Sequence, residues 1–297
     1  PHDATENTYT YGGRMVMSRK SVLICGGSGL LGSYVTKAFE ENYTVHSLSR
    51  SSSPLSCDFT DTGAVQHVIE RLKPDIVIHL IALTSIEACE QDTQKARAIN
   101  ATTVQNIVRN IPPETHFTYI STDQVYPDTA GPHAETHTAP VNIYGTTKLE
   151  GEEAALQHAK TLVLRTNLFG PSQISKRSSL SDFFINSFNA GEKIAMFDDV
   201  IFSPLHMDTL ANLVKECIEK NILGVYNLGS RNGMSKAEFG YKIAAHLGLD
   251  ASQAQVKQSG VIKTRIQRPK DLRMSTIKIE EAIGHAMPAL EEEIKKL

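Results

Sequence analysis

The run Ser21-Val22-Leu23-Ile24-Cys25 is apolar and rich in β-branched side chains, which predicts a buried strand. Helical spacing takes over across residues 33–42, and residues 43–48 then read as a second strand. Residues 57–59 fit a short third-strand remnant. A helix over 64–72 is opened by Asp61-Thr62-Gly63 and ended by Lys73-Pro74. Residues 75–82 are almost continuously apolar, as in a strand covered on both faces. A long helical window over 91–110 follows, then a strand over 116–121. Residues 141–158 carry Glu, Lys, Ala and Leu without an internal proline, and Pro140 precedes them, so they predict another helix. A sixth strand is expected over 161–166 and a further one over 224–228, with helices near 182–190, 208–221 and 235–247. This alternation implies an α/β fold built on a doubly wound parallel sheet.

After Gly170-Pro171 the character changes, and a polar, basic stretch with Lys176 and Arg177 intervenes. Residues 19–170 are therefore expected to form one domain, with 200–228 returning to its sheet. Residues 171–199 and 229–297 are expected to form a smaller α/β cap. Residues 1–18 are polar and without periodicity or the apolar centre of a signal peptide. They are expected to be a disordered lead or expression remnant, with Met15 or Met17 as the natural start.

Composition narrows the function classes. The 297 residues are 40% hydrophobic and 21% charged, as in ordinary soluble globular proteins. Net charge is −3 with both signs interspersed, so no nucleic-acid surface is expected. No window approaches a membrane span. The four cysteines are scattered without a C-x-x-C pair, which points to a reducing, cytoplasmic setting with no disulfide or zinc. His133 and His137 lie in a proline-bracketed loop, and no metal is expected there.

Candidate chemistry gathers where the strands end. Gly26-Gly27-Ser28-Gly29-Leu30-Leu31-Gly32 follows the first strand and opens the first helix. Glycines there let the backbone approach a pyrophosphate, whose charge sits at the helix N-terminus. Residues 19–170 thus read as a dinucleotide-binding domain. Strand two ends in Ser49-Arg50-Ser51-Ser52-Ser53, where NAD-binding folds usually place an acid. With no carboxylate to repel a 2′-phosphate, Arg50 favours NADP(H) over NAD(H). Ala82 and Thr122 also fall at carboxyl ends of strands, where such sheets bind ligands. Tyr144 and Lys148 stand four residues apart on the 141–158 helix, on one face. A cation beside the phenol would favour the phenolate, which suits proton transfer at a carbonyl oxygen.

Taken together, the G-x-x-G-x-x-G loop, the hydroxyl of Thr122 and Tyr144-x-x-x-Lys148 resemble an extended short-chain dehydrogenase/reductase with a Rossmann fold. Residues 203–208, 224–228, 268–275 and 278–284 are similar in particular to the dTDP-4-dehydrorhamnose reductase branch. The resemblance implies NADPH-dependent reduction of a nucleotide-linked 4-keto-6-deoxy sugar. Tyr144, Lys148 and Thr122 would be catalytic. Gly26, Gly29, Leu30, Leu31, Arg50, Asp58, Phe59, Ala82 and Asn100 would bind cofactor alongside Tyr144 and Lys148, with Asn100 also aiding a proton relay. Asp123, Asn167 and Arg268 would bind substrate, with the Lys176/Arg177 loop a further candidate for the diphosphate. The family commonly dimerises through the tyrosine-bearing helix and its neighbour, which implies a homodimer.

Three departures bear on the substrate. Gln124 stands where sugar dehydratases have a glutamate, and an amide cannot remove a sugar proton. Leu168 stands near the position of a tryptophan in rhamnose-forming reductases, and Ile81 where many relatives have alanine. Two alternatives keep the fold and change the function: an epimerase with bound NAD, and a non-catalytic regulatory subunit similar to the methionine adenosyltransferase β subunit. Retention of Thr122, Tyr144 and Lys148 together favours catalysis.

Overall fold

Alternate residues of the first apolar run face opposite sides of a sheet, and that division organises the core. A computed structural model describes residues 8–11, 14–17, 19–51, 55–175, 177–261 and 266–297. β1 (Thr8–Tyr11) and β2 (Arg14–Met17) pair antiparallel in a sheet of their own. Both strands lie within the expected 1–18 lead, whose other residues lie outside the described ones. Alternating Thr and Tyr in β1 favour extended backbone.

The first half continues with β3 (Ser21–Cys25), α1 (Gly32–Glu40), β4 (Thr44–Leu48), α2 (Thr62–Leu72) and β5 (Ile76–His79). The short helices α3 (Ile86–Gln91), α4 (Thr93–Arg97) and α5 (Thr103–Val108) follow, with a π-helical turn, Ala98–Thr102, before the last. The expected 91–110 helix thus starts earlier and breaks at Asp92, whose carboxylate accepts from the Lys95 N–H at 2.9 Å and caps a new helix. Then come β6 (His116–Thr122), α6 (Ile143–Ala155), β7 (Thr161–Thr166) and β8 (Leu168–Phe169). The second half holds α7 (Leu180–Asn189), β9 (Ala195–Phe197), β10 (Ile201–Phe202), β11 (Leu205–His206), α8 (Met207–Glu219) and β12 (Gly224–Leu228). β13 (Met234–Ser235), α9 (Lys236–Leu247), β14 (Gln255–Lys257), β15 (Asp271–Leu272), α10 (Ile277–Ile283) and α11 (Leu290–Ile294) complete it.

The main sheet has six parallel strands in the order β12-β7-β6-β5-β3-β4. The chain starts at β3, steps outward to β4, then returns past β3 to β5 and continues the other way. That reversal opens a crevice beyond the carboxyl ends of β3 and β5. The expected third strand is absent: among the described residues, 55–58 take no strand conformation, and the Cys57 N–H donates to Ser49 O at 3.1 Å. The chain then turns at Asp58, which accepts from the Thr60 N–H at 3.0 Å and its hydroxyl at 2.7 Å.

Val22 and Ile24 face one side, where Val35 and Phe39 of α1, Val214 of α8 and Ile279 of α10 cover them. Leu23 and Cys25 face the other, under Val65 and Ile69 of α2 and Val104 of α5. Each fully buried aliphatic side chain contributes about 1.5–3 kcal/mol, so both faces resist exposure. α10 was expected in the cap but lies on the sheet through Ile279 and Ile283. The expected return from residue 200 begins instead at α8, since β10 pairs with β13 and β15 in a separate cap sheet. The cap has its own apolar centre, where the Phe239 ring meets Phe169 at 5.0 Å and Phe202 at 5.2 Å.

Candidate active site

The glycine loop lies at the head of the crevice. Gly26 has φ +92°, a left-handed conformation that L side chains rarely adopt, and its N–H donates to Leu48 O at 2.8 Å. A Cβ on Gly32 would stand 2.1 Å from the Gly27 carbonyl oxygen, so only glycine lets α1 begin against the loop. Among the described residues no side chain caps the start of α1, which leaves its first N–H groups available to an anion.

Two adjoining cavities meet at this loop. One of about 400 Å³ is lined by Gly26, Gly29, Arg50, Asp58, Phe59 and Ala82. The Thr60 hydroxyl and amide hold the Asp58 carboxyl below its ordinary range, with Arg50 acting the same way and partial burial opposing. The other, of about 360 Å³, is lined by Gly29, Leu30, Leu31 and Ala82, and by Thr122, Asp123, Tyr144, Lys148 and Asn167. Gly29, Leu80, Ala82 and Arg177 border both. A glycine cradle between two cavities, with a helix N-terminus aimed into it, fits an elongated ligand with an anionic middle, as a dinucleotide has.

α6 presents the tyrosine and lysine to the second cavity. Asn142 caps the helix by accepting from the Gly145 N–H at 2.9 Å, and the Ile143 N–H donates to Glu90 at 2.8 Å. Tyr144 is 9% exposed and Lys148 2%. The Lys148 ammonium donates to Ile120 O at 2.7 Å and lies 4.1 Å from the centre of the Tyr119 ring. Burial lowers Lys148 to about 7, with the Glu152 carboxylate opposing. Burial also pushes the Tyr144 phenol well above its ordinary value, Asp123 and Cys89 add to this, and a hydrogen bond with Thr122 partly offsets it.

This corrects the expectation that Lys148 favours the phenolate. The ammonium is directed to a carbonyl oxygen instead, and desolvation dominates the phenol. The result is a tyrosine that keeps its proton at neutral pH, the starting state for a proton donor. Beside it, the Asp123 carboxyl is raised by burial, against hydrogen bonds from Asn167, Gln124 and Thr122 and the charge of Lys236. Asn167 Nδ2 donates to Asp123 at 2.5 Å, and Asn167 Oδ1 accepts from the Leu168 N–H at 2.8 Å.

Two expected site residues stand elsewhere. Asn100 is fully buried in the π-helical turn and lines neither cavity. Its Oδ1 accepts from the Leu83 N–H at 2.8 Å, and its amide donates to Leu83 O at 3.2 Å and Thr147 at 3.0 Å. It therefore fixes the loop after β5 rather than touching a ligand. Arg268 also lines neither cavity, because its guanidinium is paired with Glu87 of α3. Lys176 lies outside the described residues. Lys95, Ile99 and Thr103 line the larger cavity and escaped the sequence reading. Their i, i+4, i+8 spacing puts them on one helical face, a signal present in the 91–110 window. Among the described residues, no cluster of His, Cys, Asp and Glu could hold a metal, and no helix is long and apolar enough to cross a membrane. All four cysteines are buried and free.

Known proteins resemble the chain over most of its length. A probable low-salt glycan biosynthesis reductase of Haloferax volcanii is 26% identical, over 92% of this chain and 96% of that protein. The methionine adenosyltransferase 2 subunit beta of Mus musculus is 29% identical, over 91% of this chain and 84% of that one. The crystal structure of dTDP-4-dehydrorhamnose reductase from Bacillus anthracis in complex with NADP is similar with a TM-score of 0.86 at 26% identity, covering 94% of this chain and 98% of that one. Residues 20–297 match the RmlD substrate binding domain family. Because that match runs through both the main sheet and the cap, the chain belongs to the RmlD family of extended short-chain dehydrogenases/reductases.

Proposed function

We propose that this protein reduces the ketone of a nucleotide-linked 4-keto-6-deoxy sugar, with NADPH as reductant. One observation carries the reading: Tyr144, Lys148 and Thr122 converge in a cavity that adjoins the glycine-lined one. The relatives named as reductases, one of them in complex with NADP, support it. A nicotinamide dinucleotide bound across the two cavities supplies the hydride. The chain's own residues do the rest. Tyr144 donates its proton to the oxygen on which negative charge develops, and the Thr122 hydroxyl holds that oxygen. Lys148 hydrogen-bonds the nicotinamide ribose. The backbone of Gly26, Gly29, Leu30 and Leu31 receives the pyrophosphate, Arg50 the 2′-phosphate, and Asp58 and Phe59 the adenine end. Asp123 and Asn167, already bonded to each other at 2.5 Å, face the sugar hydroxyls. Gln124 offers no base, so dehydration is not part of the reaction.

A second reading rests on the 29% identity to the methionine adenosyltransferase 2 subunit beta of Mus musculus: this chain would bind the dinucleotide as a regulatory subunit without turning it over. A panel of keto-sugar nucleotides assayed with NADPH and NADH separates the two. Oxidation of NADPH by at least one member supports the reductase. Tight NADP(H) binding with no turnover on any member replaces it with the regulatory reading.

A further inference from the structure

Behind the site lies a buried polar cluster that no step above uses. Glu152 stands on α6 one turn beyond Lys148, the spacing that puts two side chains on the same helical face. Its residue is 2% exposed, and its carboxylate is held from two strands. Ser121, next to Thr122 at the end of β6, donates its hydroxyl at 2.5 Å. Arg165, next to Thr166 on β7, donates from Nε at 3.0 Å and from Nη2 at 2.7 Å. The other arm of that guanidinium donates to the Tyr126 hydroxyl at 3.1 Å and to Glu135 O at 2.8 Å. A buried carboxylate held by this many donors cannot wander.

Lys148 is the neighbouring buried cation, and it has few charges around it. From β5, the uncharged His79 ring packs near it, with protonation held down to about 3 chiefly by burial and then by Lys148 itself. From β6, Tyr119 offers only its ring face. Beyond β6, Asp123 is occupied by Thr122 and Asn167, and on α6 Tyr144 is a protonated phenol. From β7, Arg165 is tied to Glu152. We propose that Glu152 is a positioning residue for the reduction: its fixed carboxylate supplies the counter-charge that favours the protonated form of Lys148 and keeps it aimed at the cofactor ribose. The inference rests on the reductase reading for its purpose, but its physical content belongs to the protein alone. Glu152 opposes the effect of burial on Lys148, consistent with this role. Without it, the lysine would give up its proton at a lower pH and lose one donor to the ribose.

The test reads the lysine directly. Protein labelled with 13C at lysine Cε is titrated by NMR, and the Lys148 resonance is identified by its loss in Lys148→Met. Glu152→Gln should lower the Lys148 midpoint by about one pH unit or more, a roughly tenfold loss of proton affinity. Glu152→Asp should restore part of it. Glu152→Gln/Arg165→Met leaves no unpaired buried charge, so it guards against a folding defect and should show the same drop. A midpoint within about 0.3 unit of wild type in the double variant overturns the proposal and leaves Glu152 as a purely structural tie. NADPH affinity, followed by its fluorescence against pH, should fall off earlier in both variants than in wild type. If wild type binds no dinucleotide at any pH, the reductase reading fails, while the NMR titration still decides the role of Glu152.

Discussion

Tyr144 shows how little spacing alone says about chemistry. The four-residue step to Lys148 puts both side chains on one face, yet desolvation, not the ammonium, governs the phenol. A proton donor held in this state predicts that Tyr144→Phe lowers turnover by about 10²–10⁴-fold while NADPH affinity stays within about threefold. Stopped assays and fluorescence titration measure the two, and wild-type turnover in Tyr144→Phe would refute the mechanism. Arg50, exposed at the rim of the larger cavity, should discriminate cofactors. Arg50→Ala is expected to weaken NADPH about tenfold and NADH hardly at all, and equal losses would remove its 2′-phosphate role. Lys148 also carries a stability signature. Its ordinary value of 10.5 falls to about 7 in the fold, so between these the unfolded chain binds a proton that the native chain does not. Stability should therefore rise with pH from about 7 upward. Urea midpoints at pH 7 and 8.5 should climb in wild type and climb less in Lys148→Met. That range stops short of the buried cysteines, which burial pushes up and which act with the opposite sign.

Helix α6 is the element that converts these side chains into a site. Its start is tied by Asn142 and by Glu90 of α3, and its middle by the Glu152–Arg165 pair to β6 and β7. Removing one partner of such a buried pair leaves an uncompensated charge, so Arg165→Met should cost about 3–5 kcal/mol. Adding Glu152→Met should recover much of that loss, which chemical denaturation of the single and double variants would measure. A double variant no more stable than the single would mean that packing, not charge, dominates here. The ends of α6 were visible in advance, because Pro140 and the run of Glu, Lys, Ala and Leu are local signals. Arg165 was not, since a partner on another strand leaves no mark in the spacing of a helix. The break at Asp92 was missed for a related reason: an N-cap inside a helical window looks like any other polar residue until the chain turns there.

At the level of the molecule, the sheet and the cap carry separate apolar centres. Phe239 is fully buried at the middle of the cap, and Phe239→Ala should destabilise the protein by about 3–5 kcal/mol. Thermal unfolding would show this, and a change below about 1 kcal/mol would mean that the neighbouring rings repack. The strand order explains why the cavities lie where they do. Strands that step outward on both sides of β3 leave their loops parted, and the glycine turn after β3 faces the loop after β5 across the gap.

Local periodicity and turn chemistry were enough to establish from the residues alone that strands and helices alternate, that a glycine turn opens α1 and that Tyr144 and Lys148 share a helical face. These properties depend on neighbours within a few positions, where backbone sterics and side-chain period act directly. Three-dimensional packing was needed for everything that depends on distant partners. It took Arg268 to Glu87 and Asn100 to the Leu83 backbone, and it made a strand of neither 57–59 nor a continuous helix of 91–110. It also buried Lys148 beside Glu152 and raised the Tyr144 phenol. Burial and charge pairing arise from groups far apart in the chain, and their energies exist only once folding has removed the water between them.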